Sequence, residues 1–135
     1  MHRVQSVLVV IAILFFISSA AHAQNYNMSN VNVTTTSGNF YDSGGSGSNY
    51  GNNQDFTKTF CSGNSNSIAF NFTAFSLQSS SGCANDRLII YNGPNTSSPV
   101  IGTYCGTTSP GYIVSTGTCI TFRFISNGSN NSSGW

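Results

Sequence analysis

The chain has no glutamate, and neither of its two histidines lies beyond residue 22. Charge of either sign is scarce, with four Lys or Arg and three Asp making up 5% of the residues. These absences narrow what the molecule can do. A serine or cysteine nucleophile needs a base beside it, and past residue 22 no histidine is there to serve. Paired-carboxylate hydrolysis needs two acids at one site, and nothing in the spacing of Asp42, Asp55 and Asp86 brings two together. The four cysteines form no Cys-x-x-Cys pair and have no histidine to complete a mixed site, which argues against structural zinc. Cys61 and Cys119 have no activating cation as an immediate sequence neighbour. The chain reads as a non-enzyme. After residue 23 the charges are Lys58, Arg87 and Arg123 against three aspartates, so 3 − 3 = 0. There is no basic field for nucleic acid and no polybasic patch for a membrane.

A long hydrophobic run is also missing. The apolar stretch Val7 to Ile17 is short for a membrane span. It follows Arg3 and precedes Ala21-His22-Ala23, a small-x-small cleavage site. Residues 1–23 therefore read as a secretory signal peptide, with Gln24 starting the mature chain. The product is expected to be secreted, extracellular or at the cell surface, with no membrane span after cleavage and with disulfides allowed. The remaining 135 − 23 = 112 residues suit one domain.

What is present is aromatic. Eight Phe, six Tyr and Trp135 follow residue 23, too many for a disordered Ser/Asn/Gly tract. An aromatic core under an uncharged polar surface is implied. Asn-x-Ser/Thr sequons fall at Asn27, Asn32, Asn71, Asn95, Asn127, Asn130 and Asn131, many of them expected from composition alone.

The central stretch is 83–106. Asp86 precedes an apolar run, Leu88 to Tyr91, which ends at the turn Asn92-Gly93-Pro94; a second run, Val100 to Tyr104, returns. Cys83 and Cys105 bracket the two runs, and a disulfide between them would close a loop of about 22 residues, contributing about 3 kcal/mol in the chain-entropy model. Ile68, Phe70 and Phe72 give the strongest period-2 signal. Phe75 and Leu77 continue it; Phe56 to Phe60, Tyr112 to Val114 and Cys119 to Ile125 also read as strands, with a loose opening strand within 28–37 and a short one over 38–42. The Gly/Ser/Asn tract 43–54 reads as an ordered turn segment rather than a flexible loop, because Tyr50 interrupts it. No helical period appears after residue 23. Short strands separated by Gly, Pro and Asn turns predict an all-β fold, an antiparallel β-sandwich.

From about Gly38 to Trp135 the pattern resembles a CUB domain, the extracellular module of complement proteases, astacin-type proteases and spermadhesins. The resemblance is carried by Ile68-x-Phe70-x-Phe72 with Phe75-x-Leu77, by Cys83-Ala84-Asn85-Asp86-x-Leu88-x-Ile90-Tyr91-x-Gly93, by Ile101-Gly102-x-x-Cys105-Gly106, and by Ile120-x-Phe122-x-Phe124-x-Ser126-x-x-Ser129 followed by Gly134-Trp135. Phe40-Tyr41-Asp42-Ser43-Gly44-Gly45 resembles the version seen in secreted bacterial proteins. The organisation this implies is a signal peptide over 1–23, an N-terminal segment over 24–37 and a CUB-like jelly roll over 38–135. The family's last strand begins at the Gly-aromatic pair, where this sequence stops, so a fragment lacking that strand is expected. The family's first cysteine is absent, with Thr34-Thr35-Thr36-Ser37 in its place.

The resemblance carries further expectations. It pairs Cys83 with Cys105. In the topology inferred from it, strand 119–125 runs antiparallel to 68–72, which puts Cys61 and Cys119 at opposite ends, too far apart to bridge. The family's three calcium acids fall on Gln78, Asp86 and Asn127, with Ser129 as an oxygen ligand, and Asp86 alone keeps a carboxylate. No cofactor is expected beyond weak calcium; the alternative is that Asp86 hydrogen-bonds the Gln78 and Asn127 amides in a local polar cluster. The implied function is a recognition or adhesion module for an extracellular protein or glycan. Tyr50 and the turn Asn92 to Pro99 are candidate contacts, unless these are ordinary solvated turns. The alternatives are an accessory domain of a larger secreted enzyme such as a peptidase, or a structural spacer.

Overall fold

Alternation in the sequence becomes sheet faces in the structure, a computed structural model that describes residues 23–135. The signal-peptide assignment over 1–23 lies almost wholly outside the described residues. The strands are β1 (Asn25–Asn27), β2 (Val33–Thr34), β3 (Asn39–Tyr41), β4 (Asp55–Cys61), β5 (Ala69–Asn71), β6 (Arg87–Tyr91), β7 (Val100–Tyr104), β8 (Tyr112–Val114) and β9 (Cys119–Ile125). One layer is a five-stranded sheet in the order β2-β4-β9-β6-β7; the other is two strand pairs, β1-β3 and β5-β8. The layers form a jelly-roll sandwich.

β9 is the axis of the large sheet, with β4 on one side and β6 on the other, both antiparallel. Ile120, Phe122 and Phe124 lie on its inner face and are fully buried, as are Phe60 of β4 and Leu88 and Ile90 of β6. The second layer closes over them with aromatic edges. Phe70 meets Phe122 with ring centroids 4.8 Å apart, and Phe40 meets Phe60 at the same distance. Edge-to-face pairs of this kind add about 0.5–1.5 kcal/mol each beyond area burial. At position 58 the inner face carries a lysine. Lys58 is buried, and its Nζ donates to Ser29 Oγ (3.0 Å) and to the Val31 carbonyl (2.7 Å), 5.7 Å from the centre of the Phe60 ring.

The residues before Gly38 are built into both layers. β1 pairs parallel with β3, and β2 pairs parallel with the end of β4. Along the rest of that β4 edge the pairing comes from side chains: Asn30 Oδ1 accepts from the Thr57 N–H (2.8 Å) and Asn32 Oδ1 from the Thr59 N–H (3.0 Å).

Two expectations are corrected here. Cys61 and Cys119 are not far apart: they are register partners in the β4–β9 ladder, joined by a disulfide with 4.1 Å between Cα atoms. The error lay in the topology inferred from the resemblance, which set the start of β9 by its direction relative to 68–72. β5 sits in the opposite layer, paired with β8 and meeting β9 face to face through its aromatics, whereas β9 runs antiparallel to β4 along its whole length, which brings its first residue opposite the last of β4. Cys83 and Cys105 are also joined, with Cα atoms 5.5 Å apart. The apolar Phe75–Leu77 stretch contributes a single bridge, Ser76 to Gly134, rather than a strand.

Between β3 and β5 the second layer is split by a groove of about 390 Å³. Its floor includes Phe40, Phe60, Phe70 and Trp135, and its walls run along 35–41 and 68–74.

Candidate functional site

Asp86 stands immediately before β6, at one end of the sandwich, and is 1% exposed. A buried carboxylate needs partners for both oxygens. Here Oδ2 accepts from the Tyr50 hydroxyl at 2.6 Å and Oδ1 accepts from the Asn127 N–H at 2.8 Å. The Tyr50 oxygen also accepts from the Gln78 N–H (3.0 Å). Asn127 Nδ2 donates to Gln78 Oε1 (2.7 Å), and Asn127 Oδ1 accepts from the Ser129 N–H (2.9 Å). The sequence-derived set Gln78, Asp86, Asn127 and Ser129 is therefore one connected cluster.

Its centre is the residue the sequence reading placed on the surface. Tyr50 is fully buried, its ring edge-on to Phe124 at 5.0 Å, so it is no contact residue for a partner. It also lies at the opposite end of β6 from the Asn92–Pro99 turn, so the two candidate contacts do not form one surface. That turn is held down: Thr121 Oγ1 donates to the Gly93 carbonyl (2.8 Å), and Asn92 exchanges two hydrogen bonds with Thr116. Burial, reinforced by the hydrogen bond to Asp86, pushes the Tyr50 hydroxyl pKa up to about 12. The available signal was the aromatic at position 50 inside an otherwise polar tract, which marks an anchor as readily as a contact.

The same cluster ties three segments together. Ser126 Oγ donates to the Gly51 carbonyl (2.7 Å) and accepts from the Gln54 N–H (3.0 Å). The Asn53 N–H donates to the Asn127 carbonyl (2.7 Å), and Asn131 Nδ2 donates to the Tyr50 carbonyl (2.7 Å). Residues 50–54, 78–86 and 126–132 thus hold one another through hydrogen bonds.

These residues do not fit a calcium ion. One carboxylate is present, and both of its oxygens accept protein hydrogen bonds, as do the Gln78 and Asn127 side-chain oxygens. Calcium requires six to eight oxygen ligands and gains affinity with their charge. Among the described residues no three His, Cys, Asp or Glu side chains converge. Asp86 engages the backbone of Asn127, while the Gln78 and Asn127 side-chain amides pair with each other.

Asp42 is a second buried acid. Its Oδ1 accepts from the Gly44 N–H (2.6 Å), while Oδ2 has no partner, and burial raises its pKa. Gly134 packs so tightly here, at φ +69°, that a Cβ would fall 1.8 Å from that oxygen. The third acid, Asp55, is exposed and paired with Arg123 at 2.7 Å.

A family model described as CUB domain matches residues 28–135. The chain belongs to the CUB domain family. Dog (Canis lupus familiaris) cubilin is 36% identical over 87 residues, covering 64% of this chain and 2% of that protein. Exoskeleton protein RP43 of Riftia pachyptila is 33% identical over 97 residues, covering 72% of this chain and 22% of that protein. This CUB domain thus spans a small part of the length of the relatives it matches. The crystal structure of the MASP-1 CUB2 domain bound to Ca²⁺ superposes with a TM-score of 0.55 at 24% identity, covering 64% of this chain and 77% of that one, which supports the shared sandwich fold. No helix of the described residues is long and apolar enough to cross a membrane.

Proposed function

We propose that this CUB domain works outside the cell as a non-catalytic module that binds a protein partner through the sandwich end organised by Asp86. The carrying observation is the cluster itself. Three loop segments are fixed by side-chain hydrogen bonds to a buried tyrosine and aspartate, leaving Ser129, Asn130 and Asn131 exposed on a pre-formed rim. A rim held rigid in advance spends little entropy on association. Exposed Ser and Asn groups offer adaptable hydrogen bonding of the kind seen at polar recognition surfaces. Two disulfides agree with an oxidising, extracellular setting.

The platform is calcium-independent in this reading. Asp86 makes with Tyr50 and Asn127 the contacts a metal would otherwise organise. The test is binding to an array of extracellular proteins, with and without a chelator, for the native chain and for Ser129→Arg. A protein ligand that binds equally in chelator and is lost in Ser129→Arg, with unchanged thermal stability, is the expected result. Binding that collapses in chelator, or that survives Ser129→Arg, overturns the assignment to this end.

A further inference from the structure

An asparagine followed by glycine can close a ring on itself. The glycine nitrogen attacks the asparagine side-chain carbon, and a residue without a Cβ leaves that approach open. The chain has two such pairs, Asn92-Gly93 and Asn127-Gly128. The fold treats them differently. Asn92 is drawn away from its own glycine. Its Nδ2 donates to Thr116 Oγ1 (3.1 Å) and its Oδ1 accepts from the Thr116 N–H (2.9 Å), on a loop 24 residues further on. The Gly93 N–H is itself engaged, donating to the Tyr91 carbonyl at 3.1 Å.

Asn127 is folded over its own glycine. Its Oδ1 accepts from the Ser129 N–H (2.9 Å), the turn in which an asparagine side chain bonds the backbone two residues on. The hydrogen-bonded ring so formed contains both the Asn127 side-chain carbon and the Gly128 nitrogen, and keeps them on the same side of the turn, close to the geometry of attack. Gly128 is exposed, and among the described residues its N–H has no protein acceptor, so solvent can take the proton. The Ser129 N–H also points at the oxygen that gains negative charge once the carbon is attacked, where a donor lowers the barrier. One contact restrains the reaction: Asn127 Nδ2 donates to Gln78 Oε1 (2.7 Å) and has to leave it. Asn92 has the same restraint at Thr116, so the state of the glycine nitrogen and the direction of the side chain separate the two pairs.

We propose that Asn127 is a modification site, at which the folded chain deamidates itself with water as the only co-reactant. The Gly128 nitrogen gives its proton to solvent and forms a bond to Asn127 Cγ. The tetrahedral intermediate expels the side-chain nitrogen, which takes up a proton and leaves as ammonia, and a five-membered succinimide remains. Water opens that ring at one of its two carbonyls, giving aspartate, or isoaspartate with the main chain rerouted through the side chain. One water enters, one ammonia leaves, and nothing is oxidised or reduced. Both products disturb the cluster. Each loses the donor to Gln78 and adds a carboxylate to a cluster that already buries Asp86, where like charges disfavour each other. Isoaspartate also inserts a methylene into the main chain between the Asn127 N–H, which holds Asp86, and the peptide link to Gly128. The modified end is therefore looser than the native one. This inference stands apart from the binding reading, since it concerns a covalent change that needs no partner.

The test uses the chain exported to a bacterial periplasm, where both disulfides form and the sequons stay unmodified, and then held in mildly alkaline buffer at body temperature. After reduction, trypsin releases 124–135, which carries Asn127, apart from 88–123, which carries Asn92. Fragmentation assigns each mass gain of about 1 Da to a residue. In the folded chain Asn127 should react at least about tenfold faster than Asn92, whereas in the reduced, denaturant-unfolded chain the two should differ by less than about threefold. Gly128→Ala fits, its Cβ falling 3.4 Å from Asn53 Oδ1, and should slow the folded reaction at Asn127 at least about tenfold. The deamidated fraction, separated by its extra negative charge, should show faster hydrogen exchange at the Gln78 and Asn53 amides, which donate to Tyr50 and to the Asn127 carbonyl. Comparable rates at Asn92 and Asn127 in the folded chain, or reaction at Asn127 in the unfolded chain alone, overturn the assignment. A folded rate unchanged in Gly128→Ala overturns Gly128 as the nucleophile, and unchanged exchange in the deamidated fraction overturns the loosening.

Discussion

Tyr50 shows how one side chain sets the character of a site. Its hydroxyl is donor to Asp86 and acceptor for Gln78 at once. Tyr50→Phe leaves a buried carboxylate oxygen and a backbone N–H without partners, and should cost about 1–3 kcal/mol, read as the shift in denaturation midpoint. The pH dependence follows from the raised pKa. A folded-state value of about 12 against 10.0 for the free group means the folded state holds the proton more tightly. That contribution is complete below about pH 10 and disappears as pH rises through 12. Native stability should therefore fall between these values, and the Tyr50→Phe chain should show a shallower decline; identical slopes would show that another group is responsible. The calcium residues make a complementary prediction. Thermal unfolding of the native chain should be unchanged by millimolar calcium, whereas Gln78→Glu with Asn127→Asp should gain several degrees from it. A native chain already stabilised by calcium, through Asp86, would contradict the donor-set reading. The members of this cluster were legible through the resemblance to a CUB domain, which sets Gln78, Asp86, Asn127 and Ser129 at the family's calcium positions. The role of Tyr50 was not, since a lone aromatic in a Gly/Ser/Asn tract has no periodicity to say which way it faces.

Strands with their own punctuation were readable. β6 and β7 are delimited by Asp86, by the Asn92-Gly93-Pro94 turn and by Cys105, and they pair as a hairpin with a register shift at Ile90/Tyr91. β9 announces itself by three buried residues at alternate positions. Adjacency between distant strands was the part sequence could not settle. Period-2 alternation tells which residues share a face but not which strand lies alongside. A strand across the sandwich, as β5 is, shows the same pattern as one beside β9. The Cys61–Cys119 bridge is the observable consequence. It joins register partners 58 residues apart in sequence, a closed loop worth about 4 kcal/mol in the chain-entropy model, against about 3 kcal/mol for the loop of 22 residues. Peptide mapping of unreduced protein should yield a Cys61–Cys119 crosslink. Cys61→Ala with Cys119→Ala should lower the denaturation midpoint by more than Cys83→Ala with Cys105→Ala. A larger loss from the second pair would mean that the β6–β7 end, rather than the β4–β9 ladder, limits unfolding.

At the scale of the whole molecule, the sandwich is carried by aromatic packing between layers and hardly at all by charge. Among the described residues the one side-chain ion pair, Asp55–Arg123, is solvent-exposed, where such pairs contribute little and are screened by salt. Raising sodium chloride to about 1 M should move the melting temperature by no more than about 2 °C. A larger loss would reveal an electrostatic contribution that the structure does not contain. The three basic residues after residue 23 have a further consequence. Lys58 lies in β4, Arg87 in β6 and Arg123 in β9, all in the large sheet and none of them fully exposed. A trypsin-like enzyme must draw a loose stretch of chain around its target bond into its cleft, and the loops among the described residues, rich in Ser, Asn and Gly, carry no lysine or arginine. The folded domain should therefore resist tryptic digestion and be cut only when the large sheet opens, so that its rate of digestion measures that opening.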